Sequence, residues 1–166
     1  TGRMASLASI DAGDAVEIAS LLARDVLLGV LHAVGVLRDM AARSMATKDL
    51  NAVFSSKAQA SSSIHLAVAR TPLETLCLFS SVASAFGNAY QANYAAANAY
   101  LDGLARSRRS HGSFGSSLQI PPVSGAGMSA AAFGEEQLAA LGAISLEEFA
   151  TCLGVALMPL LSAAEQ

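Results

Sequence analysis

The chain has 166 residues, a formal net charge of −3, 53% hydrophobic residues and only 14% charged ones. That length suits one domain able to bury a core. The acidic balance, with no basic run beyond Arg106, Arg108 and Arg109, argues against a nucleic-acid partner. No apolar run approaches the ~20 residues of a membrane-spanning helix.

In chain order, Arg3 to Ile10 reads as a short strand and Asp11 to Asp14 as a turn. Asp14 can cap a helix to about Ala23, with Val16, Ile18, Leu21 and Leu22 on its apolar side. "VLLGVLHAV" is continuously apolar, as a strand buried on both faces of a parallel sheet would be. Thr47 can cap a helix to about Ala69, stopped by Pro72. "LETLCLFSS" is a second buried strand, followed by the loop "VASAFGNAY" and a helix from about Gln91 to Arg109. Gly112 and Gly115 precede the strand "SSLQI", which Pro121 and Pro122 end. A Gly/Ala/Ser loop (123–132), a short helix from Glu135 to Leu141 and a final helix to about Leu161 complete the order. "SLEE" at Ser145–Glu148 fits a capping box for the last helix. The region 123–144 reads as a lid-like loop and short helix on a single domain, with no internal repeat and no long linker.

This βαβαβαβα alternation implies an α/β fold, a doubly wound parallel sheet with helices on both faces. Ligands bind such sheets at the carboxyl ends of the strands. His32 to Gly35, Ser80, Ser81, Pro121 and Pro122 fall there. The charge-poor surface suits either a greasy single domain or a piece of a larger body. Cys77 and Cys152 lie in apolar runs without a CxxC spacing and read as buried thiols, not a metal or disulfide pair. They suit a soluble protein in a reducing compartment, cytoplasm or organelle stroma. "TGRMASLASID" has no signal-peptide core and starts abruptly, as a processed or truncated parent would.

Tyr94 and Asn98 share one helical face at i, i+4, Ser81 ends the preceding strand, and Lys57 sits mid-helix in "SSKAQASSS". A tyrosine acts as a general acid near neutral pH when its pKa is lowered, and a nearby ammonium lowers it. Serine can hold a carbonyl oxygen. These are the needs of carbonyl reduction. Taken on spacing alone, the same residues also read as packing residues, turn chemistry and a solvated lysine.

The motifs "GVLHAVGVLRD", "LFSSVASAFG" and "QANYAAANAYLDGLARSRR", in that order, resemble the ketoreductase domains of modular polyketide synthases and type I fatty acid synthases, within the short-chain dehydrogenase/reductase superfamily. The resemblance runs from about Arg3 to Leu161. Most of that superfamily places its lysine four residues after the tyrosine. The synthase ketoreductases place asparagine there and take lysine from the earlier helix, as Asn98 and Lys57 do here. The resemblance implies a Rossmann-like fold and NADPH-dependent reduction of a β-ketoacyl thioester on an acyl carrier protein. Ser81 and Tyr94 would bind and protonate the keto oxygen. Lys57 would lower the tyrosine pKa and touch the nicotinamide ribose, and Asn98 would complete the relay. Asp11 matches the adenine-contacting position, and His32, Ala33 and Gly35 the turn under the cofactor. Asp39 matches the last residue of the "LDD" signature, which implies B-type hydroxyl stereochemistry, although residue 38 is Arg.

Two departures stand beside the likeness. The family's Gly-rich phosphate turn joins its first strand and helix. This chain begins just before the family's third strand, so the first two strands and that turn are absent. "LQIPPVSGAGM" also replaces the family's "WGPW", with Pro122 at the nicotinamide position and Pro121 lacking a donor N–H. An exposed sheet edge needs cover, so the expected partner is the missing N-terminal half or another protein. The alternative function is a non-catalytic, ketoreductase-derived structural or accessory subunit of a larger complex. No metal site is expected.

Overall fold

In the computed structural model, residues 7–24 and 26–157 are described. They form three parallel strands in the order β1-β2-β3: β1 (Gly29–His32), β2 (Thr75–Ser81) and β3 (Ser116–Ile120). The pairing aligns His32 with Leu78 and Ser81 with Ile120. The three carboxyl ends therefore open on one side. Parallel neighbours need long crossovers, and helices supply them here.

Helix α1 (Ala15–Leu22) starts where Asp14 accepts hydrogen bonds from the Val16 and Glu17 N–H groups at 2.7 and 3.1 Å. After a 3₁₀ turn at Ala42–Ser44, α2 (Thr47–Phe54) runs through a π-helical segment, Ser55–Gln59, into α3 (Ala60–Ala67). Thr47 is the first helical residue rather than the cap. Ala46 precedes it, and its N–H is satisfied by the Asp49 carboxylate at 3.1 Å. Then come α4 (Ala83–Phe86) and α5 (Ala92–Ser110). The last three helices are α6 (Gly127–Ala132), α7 (Glu135–Ala140) and α8 (Leu146–Ala156). The Ser145–Glu148 capping box forms as its sequence implies: Ser145 Oγ accepts from Glu148 N at 3.1 Å, and Glu148 Oε2 from Ser145 N at 2.8 Å.

Alternation along β2 divides the sheet into two faces. Leu76 and Leu78 meet Ile18 of α1, Ile64 of α3, and Leu101 and Ala105 of α5 in one buried core. Phe79 points the other way and packs edge-on against Phe149 of α8, with ring centroids 5.9 Å apart. The fold is thus the Rossmann-like α/β arrangement, helices lying on both faces.

Several expectations change. Half of the strand expected over Arg3–Ile10, residues 3–6, lies outside the described residues, and 7–10 pair with no described strand, Leu7 being fully exposed. The 26–34 strand shrinks to four residues, because only Gly29–His32 have a β2 partner. The loops expected at 82–90 and 123–132 each hold a short helix, α4 and α6. Cys77 is buried as expected, but Cys152 is exposed, since it lies on the outer side of α8. The expected end of the last helix near Leu161 lies outside the described residues.

Candidate active site

A cavity of about 640 Å³ opens at the carboxyl ends of the strands. One wall carries Lys57, Ser81 and Tyr94; the other is built from the segment after β3, including Met128, Leu146 and Phe149.

Lys57 enters this space because the helix loosens. A π-helical stretch carries an extra residue per turn and recurs at functional sites, and Lys57 is at its centre. The side chain is only 3% exposed. Nζ donates to the Phe79 carbonyl at 2.9 Å and lies 5.4 Å from the centre of the Tyr94 ring. Burial lowers the ammonium to about 8. The reading as a solvated lysine therefore does not hold. An α-helical propensity argument has no means of showing a contact made 22 residues away.

Tyr94 is buried, its ring packed with Val53, Ala83 and Ala97. Burial pushes its phenol above the ordinary value; hydrogen bonding with Ser81 and Asn98 pulls it back, and the Asp39 carboxylate adds to the rise. The lowered tyrosine pKa expected from Lys57 is replaced by a raised one, because desolvation by burial outweighs the hydrogen bonds that favour the phenolate.

Ser81 Oγ accepts from Ala83 N at 3.2 Å as the chain turns into α4. Asn98 is fully buried; its Nδ2 donates to the Tyr94 carbonyl at 2.8 Å, and its Oδ1 has no partner among the described residues. Ser80 Oγ, also buried, donates to the Asn98 carbonyl at 3.3 Å.

The remaining candidates divide. Ala33, Gly35 and Pro122 line the cavity. The Pro122 carbonyl accepts from Ile144 N at 2.9 Å, fastening the second wall. His32 does not line the cavity; it is 3% exposed, and its Nε2 has no hydrogen-bond partner among the described residues. Burial, then the Lys57 charge, lowers it to about 4. Asp11 sits apart in the turn before α1, where its Oδ1 accepts from Gly13 N at 2.8 Å. Asp39 is exposed and accepts from Gln91 Nε2 at 2.8 Å; Gln91, not Asp39, lines the cavity. Among the described residues no cluster of three or more His, Cys, Asp or Glu could hold a metal.

Sequence reasoning missed two contributors. Asn93 is 1% exposed; its Nδ2 donates to the Arg38 carbonyl at 3.0 Å and its Oδ1 accepts from Tyr94 N at 2.8 Å. It ties the loop after β1 to the start of α5. Its signal was an amide directly before the tyrosine in an Ala-rich helix. The Phe79–Phe149 wall was signalled only by an aromatic alternating with Leu78.

The family model for the KR domain matches residues 3–125, more than half of the chain. Polyketide synthase GfsA of Streptomyces halstedii is 42% identical over 121 residues, 70% of this chain and 2% of that protein. The spectinabilin polyketide synthase system protein NorA' of Streptomyces orinoci is 37% identical over 155 residues, 91% of this chain and 4% of that protein. A structure of A-type ketoreductases from a modular polyketide synthase superposes with a TM-score of 0.82 at 33% identity, over 92% of this chain and 33% of that one. The first ketoreductase of the tylosin synthase gives 0.78 at 31% identity, over 90% and 33%. The chain thus spans 2–4% of the length of these curated relatives. No helix among the described residues is long and apolar enough to cross a membrane.

Proposed function

This chain belongs to the KR domain family of polyketide synthases, and from that premise we propose that it carries the catalytic part of an NADPH-dependent β-ketoacyl reductase. Its substrate class is a β-keto thioester held on an acyl carrier protein. The observation that carries this reading is the buried Lys57 ammonium beside the Tyr94 ring and within the same cavity as Ser81.

Ser81 donates a hydrogen bond to the keto oxygen, and Tyr94 gives it a proton as negative charge develops there. The raised phenol pKa keeps that proton in place until the oxygen needs it. The Lys57 charge, 5.4 Å from the ring centre, favours the phenolate left behind. The unpaired Oδ1 of Asn98 is a buried acceptor that can orient the proton donor of a relay, the donor itself and not Oδ1 returning the proton to Tyr94. Asp39 acts through Gln91 at the cavity wall, where it would bias the face presented by the ketone toward the B-type product.

The nicotinamide end of NADPH fits these residues. Lys57 Nζ makes one hydrogen bond and lines the cavity, leaving donors for ribose hydroxyls. A Cβ on Gly35 would come within 3.1 Å of Lys57 Cε, so the bare backbone keeps that space open. Lys57, Ala33, Gly35 and Pro122 would hold this end, with His32 beneath the turn and Asp11 toward the adenine. When bound, NADPH supplies the hydride taken by the carbonyl carbon. No Gly-rich strand-to-helix turn exists among the described residues, so the phosphates would be held by a partnering segment or chain.

One observation favours a second reading, a structural subunit in a larger complex. Val26, Leu28, Leu31 and Val34 along the β1 edge are 96, 64, 48 and 43% exposed, a row that invites cover. The two readings separate by experiment. The intact protein is titrated with NADPH by fluorescence, then given a β-keto thioester while absorbance at the reduced-nicotinamide band is followed. The reductase reading expects saturable binding and NADPH consumption matched by β-hydroxy thioester. Neither binding nor consumption would leave the structural reading.

A further inference from the structure

Asp102 lies outside the cavity and takes no part in the chemistry above, yet three side chains converge on its carboxylate. Ser117 donates to Oδ1; Ser84 Oγ and Gln119 Nε2 donate to Oδ2 at 2.6 and 2.8 Å. Gln119 Nε2 also reaches Ser84 Oγ at 3.0 Å. Burial alone would raise this carboxyl, but the hydrogen bonds, that of Ser117 first and then those of Ser84 and Gln119, outweigh it and hold the group below its ordinary value. Asp102 is therefore a persistent anion. Charge-assisted hydrogen bonds of this kind are among the stronger ones.

The cluster joins the two elements that carry the reacting hydroxyls. Ser84 Oγ is 2.8 Å from the Ser81 carbonyl as well as 2.6 Å from Asp102, so its single proton bridges the two. Ser84 belongs to α4, which turns directly out of the strand end bearing Ser81. Asp102 follows Tyr94 and Asn98 on α5 at successive four-residue steps, one face of the helix. It sits about 12 Å along the axis from Tyr94. A second tie, from Ser80 Oγ to the Asn98 carbonyl, holds the same strand to the same helix midway. Ser117 and Gln119 anchor the cluster to β3.

We infer that Asp102 is a positioning residue: through Ser84 it fixes the turn carrying Ser81 against the helix carrying Tyr94, and so sets the spacing of the two hydroxyls that meet the keto oxygen. This rests on the reductase reading of that site. Misplacement of a reacting group by about 1 Å can cost on the order of a hundredfold, so a small slip of this turn is readable in the rate.

A general staple and a positioning residue differ in one respect. A staple lowers turnover whatever stands at position 81, whereas Asp102 acting through Ser81 loses its effect once the Ser81 hydroxyl is gone. The test is a double-mutant cycle on the intact protein, with NADPH and the N-acetylcysteamine thioester of a β-keto acid. Asp102→Asn and Ser84→Ala are each made in the wild-type and Ser81→Ala backgrounds. We expect Asp102→Asn to lower kcat about tenfold and Ser84→Ala about fivefold, with KM for NADPH within about twofold. Most of both losses should vanish in the Ser81→Ala background. Ser84→Ala removes only a half-buried hydroxyl, so it reads the same contact should Asp102→Asn fail to fold. Equal fold-losses in both backgrounds, or no loss in either, overturn the inference alone. Absence of thioester reduction by the wild type overturns the reductase reading and this inference with it.

Discussion

The two walls of the cavity are built by different means. The wall of β2, the π-helical segment and α5 holds its polar groups in place by burial and hydrogen bonds: Lys57 to Phe79, Asn98 to Tyr94, Ser80 to Asn98, Ser84 to Asp102. The facing wall, from Val123 to Phe149, is fastened to itself by one isolated bridge between Val123 and Ile144, with Ser124 N–H bonding the Ile144 carbonyl at 2.9 Å. It touches the first wall chiefly through side chains, Phe149 on Phe79 and Met128 near Gly35. On the proposed reductase reading, the groups that would meet a reacting atom within fractions of an ångström sit on the rigid wall, and the groups that would enclose an acyl chain sit on the looser one.

That contrast orders what substitutions should do. On the rigid wall, Tyr94→Phe removes the proposed proton donor and should cut turnover about a hundred- to ten-thousandfold. NADPH affinity, read by fluorescence titration, should barely move. A Tyr94→Phe enzyme that keeps its rate would break the comparison at its root.

His32 tests burial on the same wall by acid. Its folded pKa of about 4 lies below the unfolded value of 6.5, so the unfolded chain binds the extra proton. Stability is full above pH 6.5 and falls as pH drops toward 4, by about 3 kcal/mol from this group. Urea midpoints at pH 7 and pH 4 should show that loss, and His32→Leu should remove that part of it.

Lys57 gives the mirror case. Its folded value of about 8 lies below the ordinary 10.5. Burial penalises the charged form at pH 7, and the penalty fades as pH rises past 8. Between pH 7 and 9.5 the wild type should gain about 2 kcal/mol relative to Lys57→Met, although Lys57→Met loses turnover. An unchanged difference between the two proteins across that range would place the ammonium in water.

The looser wall should respond least in stability and most in fit. Phe149→Ala removes the edge-on contact with Phe79 and should cost about 1 kcal/mol. It should also raise KM for a long-chain thioester several-fold while leaving kcat nearly intact. A large fall in kcat would mean that this wall also positions the chemistry.

Much of the rigid wall was legible in the sequence, and little of the looser one. "LETLCLFSS" is apolar on both faces, so β2 follows from composition alone; the site role proposed for Ser81 came from the family resemblance and not from the residues. "QANYAAANAYLD" sets Tyr94, Asn98 and Asp102 on one helical face by spacing. Asp102 showed no chemical purpose there, because its partners Ser84, Ser117 and Gln119 arrive from two other elements. The burial of Lys57 was hidden for the same reason: it depends on a π-turn and a distant carbonyl. Helix α4 escaped notice because four residues carry no period, and α6 because "SGAGM" carries two glycines at φ of +82° and +83° beside its start.

The central claim is that this cavity reduces a ketone. It is tested most directly by incubating the intact protein with a β-keto thioester and NADPH deuterated at the nicotinamide C4. The account predicts a β-hydroxy thioester carrying one deuterium at the β-carbon, formed by the wild type and almost lost in Tyr94→Phe. Unreduced thioester, or equal labelling by both proteins, would contradict it.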